Sequence, residues 1–247
     1  MAHPRLDEWL VSEGHYSTRA RAREAILRGC VLMAGDHTVK PSRRVVDPSA
    51  ITVSDPAARF VSRAALKLEA ALAETGLSPQ GRVALDLGAS TGGFCQILLE
   101  RGAERVYAVD VGHGQMDPRI SGDARLVNIE GLNARDLETK HLEGNRPQFI
   151  TCDVSFISLK LALPAALALA ADDAVGIFLV KPQFEVGKEA LGKGGIVRDD
   201  LLARETAEAL SHWLGSVEDW SNTHIIPSPV KGGDGNTEYL LTGKKHG

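Results

Sequence analysis

Residues 83–94 read VALDLGASTGGF. An apolar strand runs into Asp86, Leu87 and Gly88, and Gly92 and Gly93 open a helix, CQILLERG. Glycines at such a turn let the backbone reach φ > 0 and come close to a ligand. A dinucleotide loop would read GxGxxG, yet position 90 is serine, and no GK[ST] phosphate loop is present. The next strand, RVYAVD, ends in Asp110, about 20 residues beyond the loop, where an acid can bind a ribose diol. Taken alone, Asp110 could also be a plain turn residue.

Working outward, strands and helices alternate. SRAALKLEAALAETG is an alanine-rich helix stopped by Gly76, and RLVNIE is a short strand. QFITCDVSF reads as a strand, LKLALPAALALA as a helix interrupted by Pro164, and AVGIFLV as a buried strand. RDDLLARETAEALSHWLG is a helix with an acidic first turn. WSNTHIIPSPV and TEYLLTGK form a closing antiparallel pair. This alternation predicts an α/β fold, a mostly parallel seven-stranded sheet with helices on both faces. Ligands then sit at the carboxyl ends of the strands.

Before residue 57 the pattern differs. RLDEWLVSE and RARAREAILRG read as two short helices, the second capped by Ser17 or Thr18. VLMAG and HTVK, flanking Gly35-Asp36, read as a small hairpin, and ITV at 51–53 as a further strand. The expected organisation is a small α+β domain over 1–56, a linker over 57–62 and the α/β domain over 63–247.

Four ionisable residues lie at conspicuous places. Lys67 is on the first helix of the large domain, Asp153 ends the strand TCD, Lys181 ends the strand GIFLVK, and Glu238 begins the last strand. Each alone has an ordinary reading: a solvated helix lysine, a strand-end cap, an edge-strand acid. Proline at 182 stops its strand, because it has no N–H to donate.

Loop and acid together resemble the Rossmann-like, class I S-adenosylmethionine-dependent methyltransferases. That resemblance implies S-adenosyl-L-methionine as cofactor. It implies contacts from Asp86, Gly88, Ala89, Ser90, Thr91, Gly92, Gly93 and Phe94 around the loop, and from Asp110 and Val111 at the ribose. Asp153 counts among the cofactor contacts as well. Asn133, in GLNARDL, falls where such enzymes meet the adenine, and an N-cap for ARDL explains it equally well. SRAALKL, CDVS, LVKPQF and GNTEY resemble the Lys-Asp-Lys-Glu tetrad motifs of FtsJ-type RNA 2′-O-methyltransferases, which implies Lys67, Asp153, Lys181 and Glu238 as catalytic. That family often has serine where this chain has Asn236. The chemistry suits these residue types: a ribose hydroxyl must lose its proton as it attacks a methyl, and a neutral lysine can take it.

The first domain resembles the ribosomal-protein S-four-type RNA-binding domain. Arg5, Arg19, Arg21, Arg23, Arg28, Arg43 and Arg44 are its candidate phosphate contacts, although Glu24 dilutes the run and a solvated helix face is the plain alternative. An S-four-type domain followed by an FtsJ-like domain resembles the TlyA family, often named haemolysins. The resemblance implies 2′-O-methylation of cytidine in ribosomal RNA of the large subunit and, in some members, the small subunit. The partners implied are ribosomal RNA and ribosomal subunits. EVGKEALGKGGIV, after Pro182, reads equally as a flap or as a flexible connection.

Bulk properties bound the alternatives. With 247 residues, 43% hydrophobic and 24% charged, the chain has an ordinary globular composition. A formal net charge of −4 gives no global attraction to nucleic acid. Three separated cysteines, Cys30, Cys95 and Cys152, argue against a zinc site or disulfide framework and suit a reducing cytoplasm. No apolar signal core or membrane span is read, so a cytoplasmic location away from membranes is expected. A ribosome-assembly factor with little turnover and a membrane-lytic protein are the competing readings. The sequence leaves open whether the chain acts as a monomer.

Overall fold

The computed structural model describes residues 3–232 and 235–247. The chain divides into two compact units between Arg59 and Phe60, inside the segment expected as a linker. Phe60 and Val61 are buried in an apolar cluster of the large unit.

In the small unit, α1 (Leu6–Ser12) and α2 (Arg19–Leu27) pack through Leu6, Leu10, Ala22, Ala25 and Ile26. Thr18 caps α2, its hydroxyl accepting from Arg21 N at 3.3 Å. The expected hairpin is not formed by VLMAG and HTVK. Strand β1 (Val31–Met33) pairs instead with β2 (Ile51–Val53), antiparallel, Leu32 facing Thr52. Asp36 Oδ1 accepts from Thr38 N at 2.8 Å and from its hydroxyl at 2.7 Å. That side-chain turn bends the chain away from the ladder and competes with strand pairing.

The large unit begins with α3 (Ala65–Thr75), which ends at Gly76 in the left-handed conformation. There follow β3 (Val83–Leu87), α4 (Gly93–Glu100), β4 (Arg105–Asp110), α5 (Pro118–Ser121) and β5 (Leu126–Glu130). Then come β6 (Phe149–Cys152), α6 (Leu159–Ala162), α7 (Pro164–Leu169), β7 (Val175–Val180) and α8 (Asp200–Leu214). Strands β8 (Trp220–Pro227) and β9 (Tyr239–Lys245) close the chain. Pro164 interrupts the alanine-leucine helix as expected and starts α7.

The seven strands are ordered β5-β4-β3-β6-β7-β9-β8. Pairing is parallel from β5 to β7, and β9 runs antiparallel between β7 and β8. All of β7 is buried, as a strand covered on both faces requires. Alternate residues feed two cores: Leu85, Ile150 and Phe178 on one face, Ala84, Phe149 and Ile177 on the other. The chain runs outward from β3 to β5 and then returns to β6 on the other side of β3. The order therefore reverses at β3 and β6, whose carboxyl ends flank the crevice where such sheets bind ligands. Among the described residues, no helix is long and apolar enough to cross a membrane.

Candidate active site

The crevice starts with the glycine loop. Gly88 has φ +79° and packs so tightly that a Cβ would stand 2.6 Å from the carbonyl oxygen of Asp153. Only glycine allows β3 and β6 to converge there. Gly92 caps α4 in the left-handed conformation, and a Cβ on Gly93 would stand 2.5 Å from Ser62 Oγ. The loop residues from Gly88 to Phe94, Gly92 apart, line a cavity of about 220 Å³ together with Asp86, Asp153 and Lys181.

Asp86 is buried at 1% exposure and accepts from Thr151 Oγ1 at 2.8 Å and Cys95 Sγ at 3.0 Å. Burial pushes its carboxyl up to about 7, against the pull of those two hydrogen bonds. A second cavity of about 880 Å³ shares Gly88, Ser90, Asp153 and Ser155 with the first and continues past Asp110, Val111 and Asn133. Its size suits a nucleoside-sized ligand. Asp110 is already engaged: Oδ2 accepts from Ser90 N at 2.8 Å and Oδ1 from Gly112 N at 2.7 Å. Each oxygen keeps a further lone pair open to another donor. Asn133 lines this cavity, and its Oδ1 accepts from Arg135 N at 3.1 Å as the N-cap expected before ARDL.

The four ionisable residues meet at one sheet edge as two ion pairs. Val180 of β7 faces Tyr239 of β9, so Lys181 and Glu238, one residue beyond each, are neighbours across the ladder. Asp153 extends β6, the parallel neighbour of β7. Lys67 Nζ donates to Glu238 Oε2 at 2.5 Å, with both side chains buried. Lys181 Nζ lies 2.6 Å from Asp153 Oδ1, an ion pair without hydrogen-bond alignment, and donates to Ser155 Oγ at 2.8 Å. Lys181 and Asp153 line the loop cavity, whereas Lys67 and Glu238 are buried and not among its lining residues.

Residues 60–245 match the family model described as FtsJ-like methyltransferase. The chain belongs to this family. It is 42% identical over 96% of its length, and 88% of the relative's, to a protein of Mycobacterium tuberculosis named 16S/23S rRNA (cytidine-2′-O)-methyltransferase TlyA. Hemolysin A of Brachyspira hyodysenteriae is 39% identical over 96% of this chain and 98% of that one. A solved structure of a protein named as a hemolysin, from Streptococcus thermophilus, superposes with TM-score 0.78 at 36% identity, covering 100% of this chain and 90% of that one.

In this FtsJ-like unit several site residues carried no signal in the sequence. Ser155, Thr151 and Cys95 act through register and packing that no local motif reveals. Glu185 binds Ser158 Oγ at 2.6 Å and Leu159 N at 2.8 Å, tying the segment after Lys181 to the start of α6. Burial pushes the Glu185 carboxyl up, against those bonds. Buried Asn236 receives Val197 N at 2.9 Å and donates to Gly195 O at 3.1 Å. The glycine-rich loop after Pro182 is thereby pinned to the segment that carries Glu238. The only hint in the sequence was that Asn236 stands where the resembling family often has serine.

In the small unit the candidate arginines differ in availability. Arg5 grips buried Asp7 with two bonds, at 2.9 and 3.1 Å, and Arg19 reaches the same carboxylate at 3.2 Å. Arg28 grips Asp55 at 3.1 and 2.9 Å, and Tyr16 donates to the same group at 3.1 Å. Burial raises Asp55, but the Arg28 bonds and charge outweigh it and hold the carboxyl below its ordinary value. Arg21 donates to Ala57 O at 3.4 Å. Arg23, Arg43 and Arg44 are exposed, and Arg44 donates to His3 O at 2.7 Å. The set of candidate phosphate contacts is thus narrowed: Arg5 and Arg28 serve largely as counter-ions to buried carboxylates, and half-exposed Arg19 shares Asp7 with Arg5.

Proposed function

We propose that this chain transfers a methyl group from S-adenosylmethionine to the ribose 2′-hydroxyl of a cytidine in ribosomal RNA. The observation that carries the reading is the pair of ion pairs, Lys67–Glu238 and Lys181–Asp153, at the sheet edge beside the glycine-loop cavity. The names of the M. tuberculosis and other relatives supply the cytidine and the RNA.

The residues present fit the cofactor. Asp86 offers an acid deep in the loop cavity, Gly88 leaves room for close approach, and Asp110 keeps lone pairs at the wider cavity. Val111 and Asn133 border that cavity, at the adenine end in this reading. When bound, S-adenosylmethionine supplies an electrophilic methyl on a sulfonium. In this reading Lys181, on the cavity wall, is the residue that would receive the proton of the attacking ribose hydroxyl. Asp153 and Ser155 fix the reach of Lys181. The buried Lys67–Glu238 pair holds the adjoining strand end in register, so that hydroxyl and methyl can be held in line.

The small unit, assigned to residues 1–56 as an S-four-type RNA-binding domain, would contribute phosphate contacts. Arg23, Arg43 and Arg44 are exposed candidates, and Arg19 is exposed as well while paired with Asp7. Such contacts position RNA without reading its sequence.

The test is transfer of tritiated methyl to isolated subunits and intact ribosomes, with nuclease mapping of the product. Wild type should yield 2′-O-methylcytidine, and Lys181→Ala should lose roughly 10²–10⁴-fold in rate. Label on a base, or full activity in that variant, overturns the reading.

A further inference from the structure

Asp86 is a buried acid with an unusual set of partners. Thr151 on β6 stands directly across the ladder from it and donates to Oδ1 at 2.8 Å. Cys95 on α4 donates to Oδ2 at 3.0 Å. Both donors are neutral, and both residues are fully buried. Among the described residues, no cation is hydrogen-bonded or ion-paired to Asp86. Its charged surroundings are mostly acidic: Asp153 beyond β6 and Asp110 at the end of β4 oppose its ionisation. Lys181, beyond β7, is held by Asp153, and Lys67, on α3, is held by Glu238. Asp86 nevertheless lines the loop cavity. A carboxylate without a counter-cation in a buried cavity is costly unless a cation arrives with the ligand.

Building on the cofactor reading above, we infer that Thr151 and Cys95 are positioning residues that hold Asp86 as a proton-exchanging carboxyl, and that binding of the cofactor's ammonium group expels the Asp86 proton to solvent. The balance is simple. The carboxyl O–H bond breaks, the proton leaves to buffer, and the carboxylate faces the ammonium, with Thr151 and Cys95 still donating to its two oxygens. Neither donor needs to move, because hydrogen bonds from a hydroxyl and a thiol serve the charged form better than the neutral one. With the carboxyl poised at about 7, the free protein carries this proton on a substantial fraction of molecules at neutral pH.

Calorimetric titration of the full chain with S-adenosylhomocysteine, in two buffers of different ionisation enthalpy at matched pH, reads the proton directly. About half a proton should be released per ligand near pH 7, and affinity should fall about tenfold per pH unit below that point. Thr151→Val removes one donor without changing shape. It should move the pH midpoint of binding upward and weaken binding at pH 7 about 3–10-fold. Thr151→Ser should restore both values, and Cys95→Ala should act in the same direction more weakly. Asp86→Asn should abolish the proton release.

Buffer-independent heats at every pH, or a Thr151→Val midpoint equal to wild type despite weaker binding, would overturn the inference and leave the cofactor reading standing. No binding of either S-adenosylhomocysteine or S-adenosylmethionine would overturn the cofactor reading itself.

Discussion

The crevice and the small unit use the same ingredients to opposite ends. Both hold buried or half-buried cations against carboxylates. At the sheet edge, Lys181 and Asp153 pair on a cavity wall, within reach of a ligand. In the small unit, the buried Asp7 carboxylate gathers Arg5 and half-exposed Arg19, and the buried Asp55 carboxylate gathers Arg28 and Tyr16. Charge counted along the chain is therefore not charge available to a partner. A buried carboxylate needs several donors to offset its lost hydration, and the nearest arginines supply them.

The largest effect that would sharpen this contrast is at Lys181. Lys181→Ala should lower methyl transfer by roughly 10³-fold, yet cost less stability than the roughly 3–5 kcal/mol of a fully buried pair, since its partner Asp153 lines a cavity. Stopped assays and urea unfolding on the same preparation check both halves. Loss of folding instead of turnover would place Lys181 with the internal clamps.

Lys67→Met comes next. It leaves Glu238 buried without its counter-ion and should cost about 3–5 kcal/mol by urea unfolding. Adding Glu238→Leu should recover much of that stability without recovering activity. Recovery of both would mean that the pair only fills space.

Asp55→Asn tests the small unit. Replacing a carboxylate held by Arg28 should destabilise that unit by about 1–3 kcal/mol at neutral pH. The folded Asp55 carboxyl titrates below its unfolded value. Its contribution is thus present above the unfolded value and lost as pH falls through the folded one. Asp86 has the opposite sign. Its folded value is raised to about 7, so it lowers stability progressively as pH rises from its unfolded value towards 7. Asp86→Asn should therefore gain about 1–3 kcal/mol at pH 8 while weakening cofactor binding, a stability gain at the expense of function. Melting curves across pH read both signs.

The smallest effect separates exposed from internal arginines. Arg43→Ala with Arg44→Ala should reduce the salt dependence of RNA binding by about one to two phosphate contacts. Arg28→Ala should change melting temperature more than the salt slope. Equal slopes in both variants would erase the distinction.

Much of the large unit was legible because its signals are local. The glycine loop, the apolar runs of β3, β6 and β7, and Pro182 as a strand stop each act within a few residues of themselves. So did the placing of Asp153, Lys181 and Glu238 at strand ends. The partner of β1 was not legible, because a three-residue strand has too little pattern to choose between HTVK and ITV, and the Asp36 side-chain turn made the choice. Nor were Thr151 and Cys95 as donors to Asp86, Asn236 as the pin of the loop after Pro182, or the burial of the Asp7 and Asp55 clamps.

The sequence by itself determined the order of strands and helices and the residue types at the crevice, since periodicity, caps and breakers are short-range. Only the tertiary structure decided which charges face a ligand and which face each other. That depends on strand register and on contacts between residues as distant as Lys67 and Glu238, which local pattern cannot encode.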